Sequence, residues 1–173
     1  HVMAGYWENP RATGEALRGG WLYTGDLGYL DAEGFLYVLG REKSLLISED
    51  GEKYSPEGIE ETIVENSRFI DQLMLYNDHS PATVALLVPN REGLRAWMSQ
   101  HGHDPNTPAG QDAALQLLKG EIDAYRAGGR HGGIFPERWL PSAFALLDQP
   151  FTEQNRFLNS TLKMVRGRIA EQY

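Results

Sequence analysis

Four polar motifs punctuate the chain: Thr24-Gly25-Asp26, Gly40-Arg41-Glu42-Lys43, the run from Gly51 through Ser55-Pro56 to Glu60, and Leu162-Lys163-Met164-Val165-Arg166 near the end. Glycine, proline and aspartate break regular structure, so strands and helices have to fit between these points. Between the first two motifs, residues 28–30 and 35–39 are rich in aromatic and β-branched side chains. They flank Asp31-Ala32-Glu33-Gly34, which is the pattern of a β-hairpin with a glycine in its loop. Residues 21–24 read as a further strand. Upstream, a short helix fits residues 12–17, ended by Gly19-Gly20.

Ser55-Pro56 predicts a helix start, with the serine as N-cap and the proline in the first helical position, where its missing N–H costs nothing. Ile59 and Ile63 then share one face. Residues 69–76 and 83–88 read as strands around a turn at Asn77-Asp78-His79-Ser80-Pro81. Residues 91–100 read as a helix with Leu94 and Trp97 inward, and residues 111–126 as another, through Leu115, Leu118 and Ile122. Residues 101–110 form a loop and residues 128–133 a flexible glycine connection. Residues 144–147 make a strand, and 161–171 a last helix with Leu162, Val165 and Ile169 inward. This order predicts an α+β layer fold, a mixed sheet covered by helices and preceded by the hairpin segment.

Composition narrows the function. A net charge of -8 opposes a general nucleic-acid binder, which needs a basic field, while leaving small anionic ligands open. With no cysteine there is no disulfide framework and no thiolate nucleophile or metal ligand. No apolar run approaches the ~20 residues of a membrane helix and no signal peptide opens the chain, so a soluble protein is expected. His1-Val2-Met3-Ala4-Gly5 reads as mid-domain sequence, hence as the start of an excised piece. The stretch Ala127 to Gly133 lacks the Gly-Lys-Ser/Thr ending of a phosphate loop. His101, His103 and Asp104 lack further spaced ligands, so no metal site is assigned.

The four motifs, in this order, resemble the C-terminal part of the adenylate-forming superfamily of acyl-CoA synthetases, luciferases and nonribosomal-peptide adenylation domains. The segment from Phe151-Thr152-Glu153-Gln154-Asn155 to Arg166 is similar to the ending of long-chain fatty acid CoA ligases. Many nonribosomal and short-chain relatives have Asn-Gly-Lys where this chain has Thr161-Leu162-Lys163. The resemblance implies that Asp26 holds the ribose of ATP and AMP; by itself, a carboxylate on such a turn suits two vicinal hydroxyls or its own backbone. Arg41, whose guanidinium offers fixed donors, would contact the nucleotide, although a Gly-Arg at a strand end is equally a surface arginine. Lys43 takes the position of the hinge about which the C-terminal domain turns. The loop at Gly51 takes that of the coenzyme A pantetheine contact, and the acids Glu49 and Asp50 speak against phosphate binding there. Lys163 would reach the α-phosphate and the substrate carboxylate; without the other motifs it is a basic residue on the solvated face of the last helix.

By this resemblance, residues 1–41 are the tail of a large N-terminal AMP-binding domain, and residues 42–173 the mobile C-terminal domain. The implied reaction joins a fatty acid to ATP, giving acyl-AMP and pyrophosphate, then passes the acyl group to coenzyme A with release of AMP. Mg2+ and most of the fatty-acid tunnel would belong to the large domain. The implied location is cytoplasmic, with peripheral membrane attachment of the full-length protein left open. The chain alone is expected to be inactive, and Leu22, Tyr23, Tyr29 and Tyr37, without their parent domain, to favour self-association. Two alternatives stay open: an acyl-carrier-protein ligase of the same superfamily, and a stand-alone interaction module without catalysis.

Overall fold

The computed structural model describes residues 2–173. The chain divides into two compact units, one ending at Leu45 and the other spanning Leu46–Tyr173. In the first unit, helix α1 (Pro10–Ala16) starts at Asn9, whose side chain accepts from the Ala12 N–H at 3.0 Å. Strands β1 (Leu17–Arg18) and β2 (Trp21–Leu22) follow as a small antiparallel pair, so Gly19-Gly20 turns a hairpin and the helix ends before it. Strands β3 (Asp26–Leu30) and β4 (Leu36–Arg41) form the expected hairpin. Tyr29 pairs with Tyr37 in register and their rings stack with centroids 5.0 Å apart. The Asp31 carboxylate accepts from the N–H groups of Glu33 and Phe35, closing the connecting loop. Leu22, Tyr23, Tyr29 and Tyr37 are all exposed.

The second unit is built on two sheets. In the larger, β7 (Ile70–Tyr76) runs antiparallel to β9 (Val84–Pro89), and β10 (Ala143–Leu146) lies parallel to β9 on its other side. In the smaller, β5 (Leu46–Ser48) pairs antiparallel with β6 (Lys53–Tyr54) and parallel with β8 (Asp78–Ser80). Four helices complete the unit: α2 (Glu57–Asn66), α3 (Arg91–Gln100), α4 (Pro108–Asp123) and α5 (Arg166–Gln172). This is the mixed, helix-covered α+β arrangement that the sequence predicts.

Side chains of β7 alternate between two buried clusters. Leu73 and Leu75 join Ile59 and Ile63 of α2 and Leu118 and Ile122 of α4. Met74 points into the other cluster with Val88, Leu147, Phe151 and Ile169. Burial on both faces is why residues 73–75 read as an unbroken apolar run instead of an alternating one. The two sheets are joined by a buried polar knot: the Tyr54 hydroxyl lies 2.5 Å from Thr83 Oγ1, and the Asn77 amide donates to both oxygens.

Several boundaries differ from expectation, each for a local reason. Pro56, not Ser55, precedes the first turn of α2, and its carbonyl accepts from Glu60 N at 2.9 Å. Helix α4 starts earlier than residue 111, because the Thr107 side chain caps Gly110 N and Pro108 occupies the first turn. Leu115 on that helix is exposed. Residues 78–80 are strand β8 instead of a turn, recruited by the free edge of β5. The last helix starts at Arg166 rather than Thr161: Leu162 adopts a φ of 59°, Lys163 O accepts from Asn159 N, and Val165 N donates to Phe157 O instead of to Thr161 O. Leu162 is consequently exposed, not inward.

The glycine stretch is a set of interlocked turns. Gly129 N donates to Arg126 O, His131 N to Ala124 O at 2.8 Å, and the His131 ring stacks on Tyr125. A Cβ on Gly129 would lie 2.3 Å from that same Ala124 oxygen, which is already held by His131. Gly129→Ala is therefore expected to destabilise the unit by about 1–3 kcal/mol. Gly120→Ala, on an exposed turn of α4 with nothing within 4 Å of the added methyl, should stabilise by about 0.5–1 kcal/mol. Urea denaturation of both variants checks this opposition in sign; equal effects would contradict it.

The β5–β6 connection is also tied down. Glu52 accepts from Arg138 Nε and Nη2, both at 2.5 Å, and from the Trp139 indole N–H at 3.1 Å, while Trp139 stacks on Tyr54. The Arg138 and Trp139 donors hold the Glu52 carboxyl below its ordinary value. A depressed carboxylate contributes its stabilisation above the unfolded-state value, roughly pH 4.3, and loses it as pH falls through the folded one. The Trp139 indole N–H resonance should therefore titrate with a midpoint below that value, and Arg138→Ala should move the midpoint upward. A midpoint at or above the ordinary glutamate value would refute the clasp.

Candidate functional site

In the first unit, the hairpin brings two of the singled-out residues together. Asp26 opens β3 and Arg41 closes β4, directly across from each other in register. Arg41 Nε lies 2.9 Å from Asp26 Oδ1, and its Nη1 donates to the Thr24 carbonyl at 2.8 Å. The Thr24 hydroxyl accepts from Asp26 N at 3.1 Å, and Gly25 O accepts from Glu42 N at 2.9 Å. The Thr-Gly-Asp and Gly-Arg motifs are thus two halves of one hydrogen-bonded corner. Both side chains remain partly exposed, so the pair is fixed in geometry and open to solvent. It presents one carboxylate oxygen free of this ion pair and further guanidinium donors, a combination suited to hydroxyls and to anionic oxygens.

Lys43 lies in a 3-10 turn, Glu42–Ser44, just after β4 and just before the division at Leu45. Its side chain is exposed.

In the second unit, Gly51 is at the tip of the β5–β6 connection with a φ of 83°, a left-handed conformation that favours glycine. Gly51 N donates to Ser48 O at 2.9 Å, and Ser48 N to Glu52 O at 3.0 Å. The Asp50 carboxylate accepts from the Ser48 hydroxyl at 2.6 Å and from Glu52 N, and the Ser48 bond is the main cause that lowers its carboxyl. Asp50 thus shapes the loop itself, while Glu52 is held from outside it by Arg138 and Trp139. The tip, with open space around Gly51, presents backbone to solvent.

Lys163 belongs to a tight excursion between Phe151 and α5. Asn159 organises it: Asn159 N donates to Lys163 O and the Asn159 side chain accepts from Lys163 N, each at 2.9 Å. Leu158 and Met164 form an antiparallel bridge across the same loop. The Lys163 side chain is exposed, has no ion-pair partner among the described residues, and lines a cavity of about 310 Å³ together with Glu57, Glu60, Gln72, Phe151 and Arg166. Gly51 does not line this cavity.

The sequence reading missed the groups that hold these pieces. Arg166 forms a bidentate ion pair with Glu60, a carboxylate 3% exposed. Burial pushes the Glu60 carboxyl up and the Arg166 guanidinium opposes that shift. The available signal was position: Glu60 sits beside Ile59 on the buried face of α2, where an acid needs a cation. Gln72, Arg138 and Trp139 carried no comparable signal, since their partners are distant in sequence. His101 and His103, set aside as a metal site, stack on Trp97 with centroids at 4.5 and 5.3 Å.

The chain is 31% identical over 172 residues to the long-chain-fatty-acid–CoA ligase FadD15 of Mycobacterium tuberculosis, a match spanning 99% of this chain and 28% of that protein. Over 64 residues, 37% of this chain and 13% of the relative, it is 52% identical to the 2-succinylbenzoate–CoA ligase of Geobacillus kaustophilus. Among solved structures it resembles the adenylation domain of a carboxylate reductase from Mycobacterium chelonae, with a TM-score of 0.79, 23% identity, and coverage of 98% of this chain and 24% of that one. It also resembles the o-succinylbenzoate coenzyme A synthetase of Bacillus subtilis solved with AMP, with a TM-score of 0.57, 26% identity, and coverage of 97% and 28%. No family model matches. Likeness along nearly the whole chain to acyl-CoA ligases, on a fold shared with adenylation domains, makes this chain a member of the adenylate-forming superfamily, corresponding to the C-terminal portion of its enzymes.

Proposed function

We propose that this chain is the C-terminal portion of an ATP-dependent long-chain fatty acid CoA ligase. The observation that carries this reading is the likeness to FadD15 along 99% of the chain. The activity is that of the whole protein: a carboxylate attacks the α-phosphorus of ATP, pyrophosphate leaves, and the acyl-adenylate then gives its acyl group to the thiol of coenzyme A with release of AMP. Asp26 accepts the ribose hydroxyls, and Arg41, held beside it, donates to nucleotide oxygens. Lys163 places its ammonium against the oxygens on which negative charge gathers as the carboxylate attacks, stabilising that charge without transferring a proton.

Lys43 is the hinge at which the C-terminal domain turns, with residues 1–41 belonging to the large domain and 42–173 to the mobile one. A single 3-10 turn between two strands, with an exposed side chain, can absorb such a change in backbone angle. After the turn, the backbone at Gly51 faces the pantetheine arm. One active site in the complete enzyme thereby serves two reactions with different geometric demands. The Mg2+ of the reaction is assigned to the large domain; among the described residues no group of three or more metal-ligating side chains gathers. Among the described residues no helix is long and apolar enough to cross a membrane; the cytoplasm is the location that goes with this reading.

In the complete ligase, Lys163→Ala should slow adenylate formation by about a hundredfold or more and largely spare thioester formation from preformed acyl-adenylate. Equal loss in both half-reactions would remove Lys163 from the adenylation step. The 173-residue chain by itself should form no acyl-CoA from fatty acid, ATP and coenzyme A. Supplying the complete ligase with coenzyme A and, separately, with an acyl carrier protein identifies the acceptor; turnover only with the carrier protein would overturn the CoA ligase assignment.

A further inference from the structure

The excursion that carries Lys163 is internally rigid but hangs from the rest of its unit at few polar points. Thr152 O accepts from Phe157 N and Leu158 N, Val165 N donates to Phe157 O at 2.8 Å, and the Asn159 bonds close the tip. These bonds fix the shape of the excursion, and Phe157, Leu158 and Met164 pack it against the cluster of Met74 and Val88, an apolar contact that holds it to the sheet without setting its register. Two clips on β7 settle that. At the start, the Gln72 carboxamide grips the backbone of Phe151 from both sides, accepting from Phe151 N at 2.7 Å and donating to Phe151 O at 3.0 Å. At the end, Arg166, three residues after Lys163, is gripped by Glu60.

Strand β7 lies at the edge of its sheet, and its outer edge leaves Leu75 without a partner strand. Glu60 Oε1 accepts from Leu75 N at 2.6 Å, while Arg166 Nη1 donates to Leu75 O at 3.3 Å. The ion pair therefore replaces a missing strand and locks the start of α5 to a defined rung of β7. Both clips line the cavity that Lys163 also lines.

We propose that Gln72 and the Glu60–Arg166 pair are positioning residues for Lys163, setting the place of its ammonium by clipping both ends of its excursion to β7. This rests on the role given to Lys163 above. A stabilising charge moved by about 1 Å costs on the order of a hundredfold in rate, so loosening either clip weakens the adenylation step specifically.

The test uses the complete ligase with Gln72→Met and Glu60→Gln made separately beside Lys163→Ala. Each clip variant should lower the rate of pyrophosphate release about tenfold to a hundredfold and leave thioester formation from preformed acyl-adenylate within about twofold of wild type. Gln72 is only part-buried, so its variant stays informative even where Glu60→Gln folds poorly. Wild-type adenylation in both clip variants, with Lys163→Ala slowed, overturns the proposal and leaves the role of Lys163 standing. Unchanged adenylation in Lys163→Ala overturns both. Parallel losses in the two half-reactions mark the clips as structural only and overturn the proposal.

Discussion

Burial of β7 on both faces is the constraint from which the rest of the second unit follows. Leu73 and Leu75 need α2 and α4 on one side; Met74 needs Phe151 and Ile169 on the other. Over residues 73–75 a strand sandwiched in this way has no polar face, so its polar contacts fall to Asp71 and Gln72 at its start and to the free backbone of its edge. On one edge lies β9. On the other, side chains from α2 and α5 take over the backbone of Leu75. The C-terminal segment is thus drawn in by its hydrophobic residues and aligned by its polar ones.

That division of labour explains why an ion pair with so little solvent is kept. Removing a carboxylate and a guanidinium from water is expensive, and their mutual attraction seldom exceeds the cost by much. What Glu60 and Arg166 provide in return is register. Hydrophobic contact between Ile169 and Met74 tolerates sliding, whereas a bidentate pair bonded to one particular peptide does not.

Much of the fold was legible because its signals are local. Residues 91–100 form a helix over their expected length, and the hairpin of β3 and β4 follows from Asp31 and Gly34 between two apolar runs. Asp26 and Arg41 could be singled out separately, but their meeting depends on the register of the hairpin, which shifts at Leu27/Gly28 and cannot be counted from spacing. The end of the chain misled for a different reason. Leu162, Val165 and Ile169 have helical spacing, but Leu162 takes a left-handed φ, and Val165 N, which a helix from Thr161 would bond to Thr161 O, donates to Phe157 O instead. Gln72 and Arg138 were invisible because each acts on a partner 79 or 86 residues away.

The parallel pairing of β10 with β9 has a consequence for how the unit assembles. Leu146 lies beside Leu87, with α3, α4 and the glycine turns between them in the chain. Such a long loop closes slowly, since its ordering entropy is spent before the pairing returns anything. The face of Met74 and Val88 waits longer still, for Phe151 and then Ile169. During synthesis from the N-terminus, this apolar surface has no cover until the last helix has emerged, so the nascent unit is most prone to aggregate while it lacks its final residues.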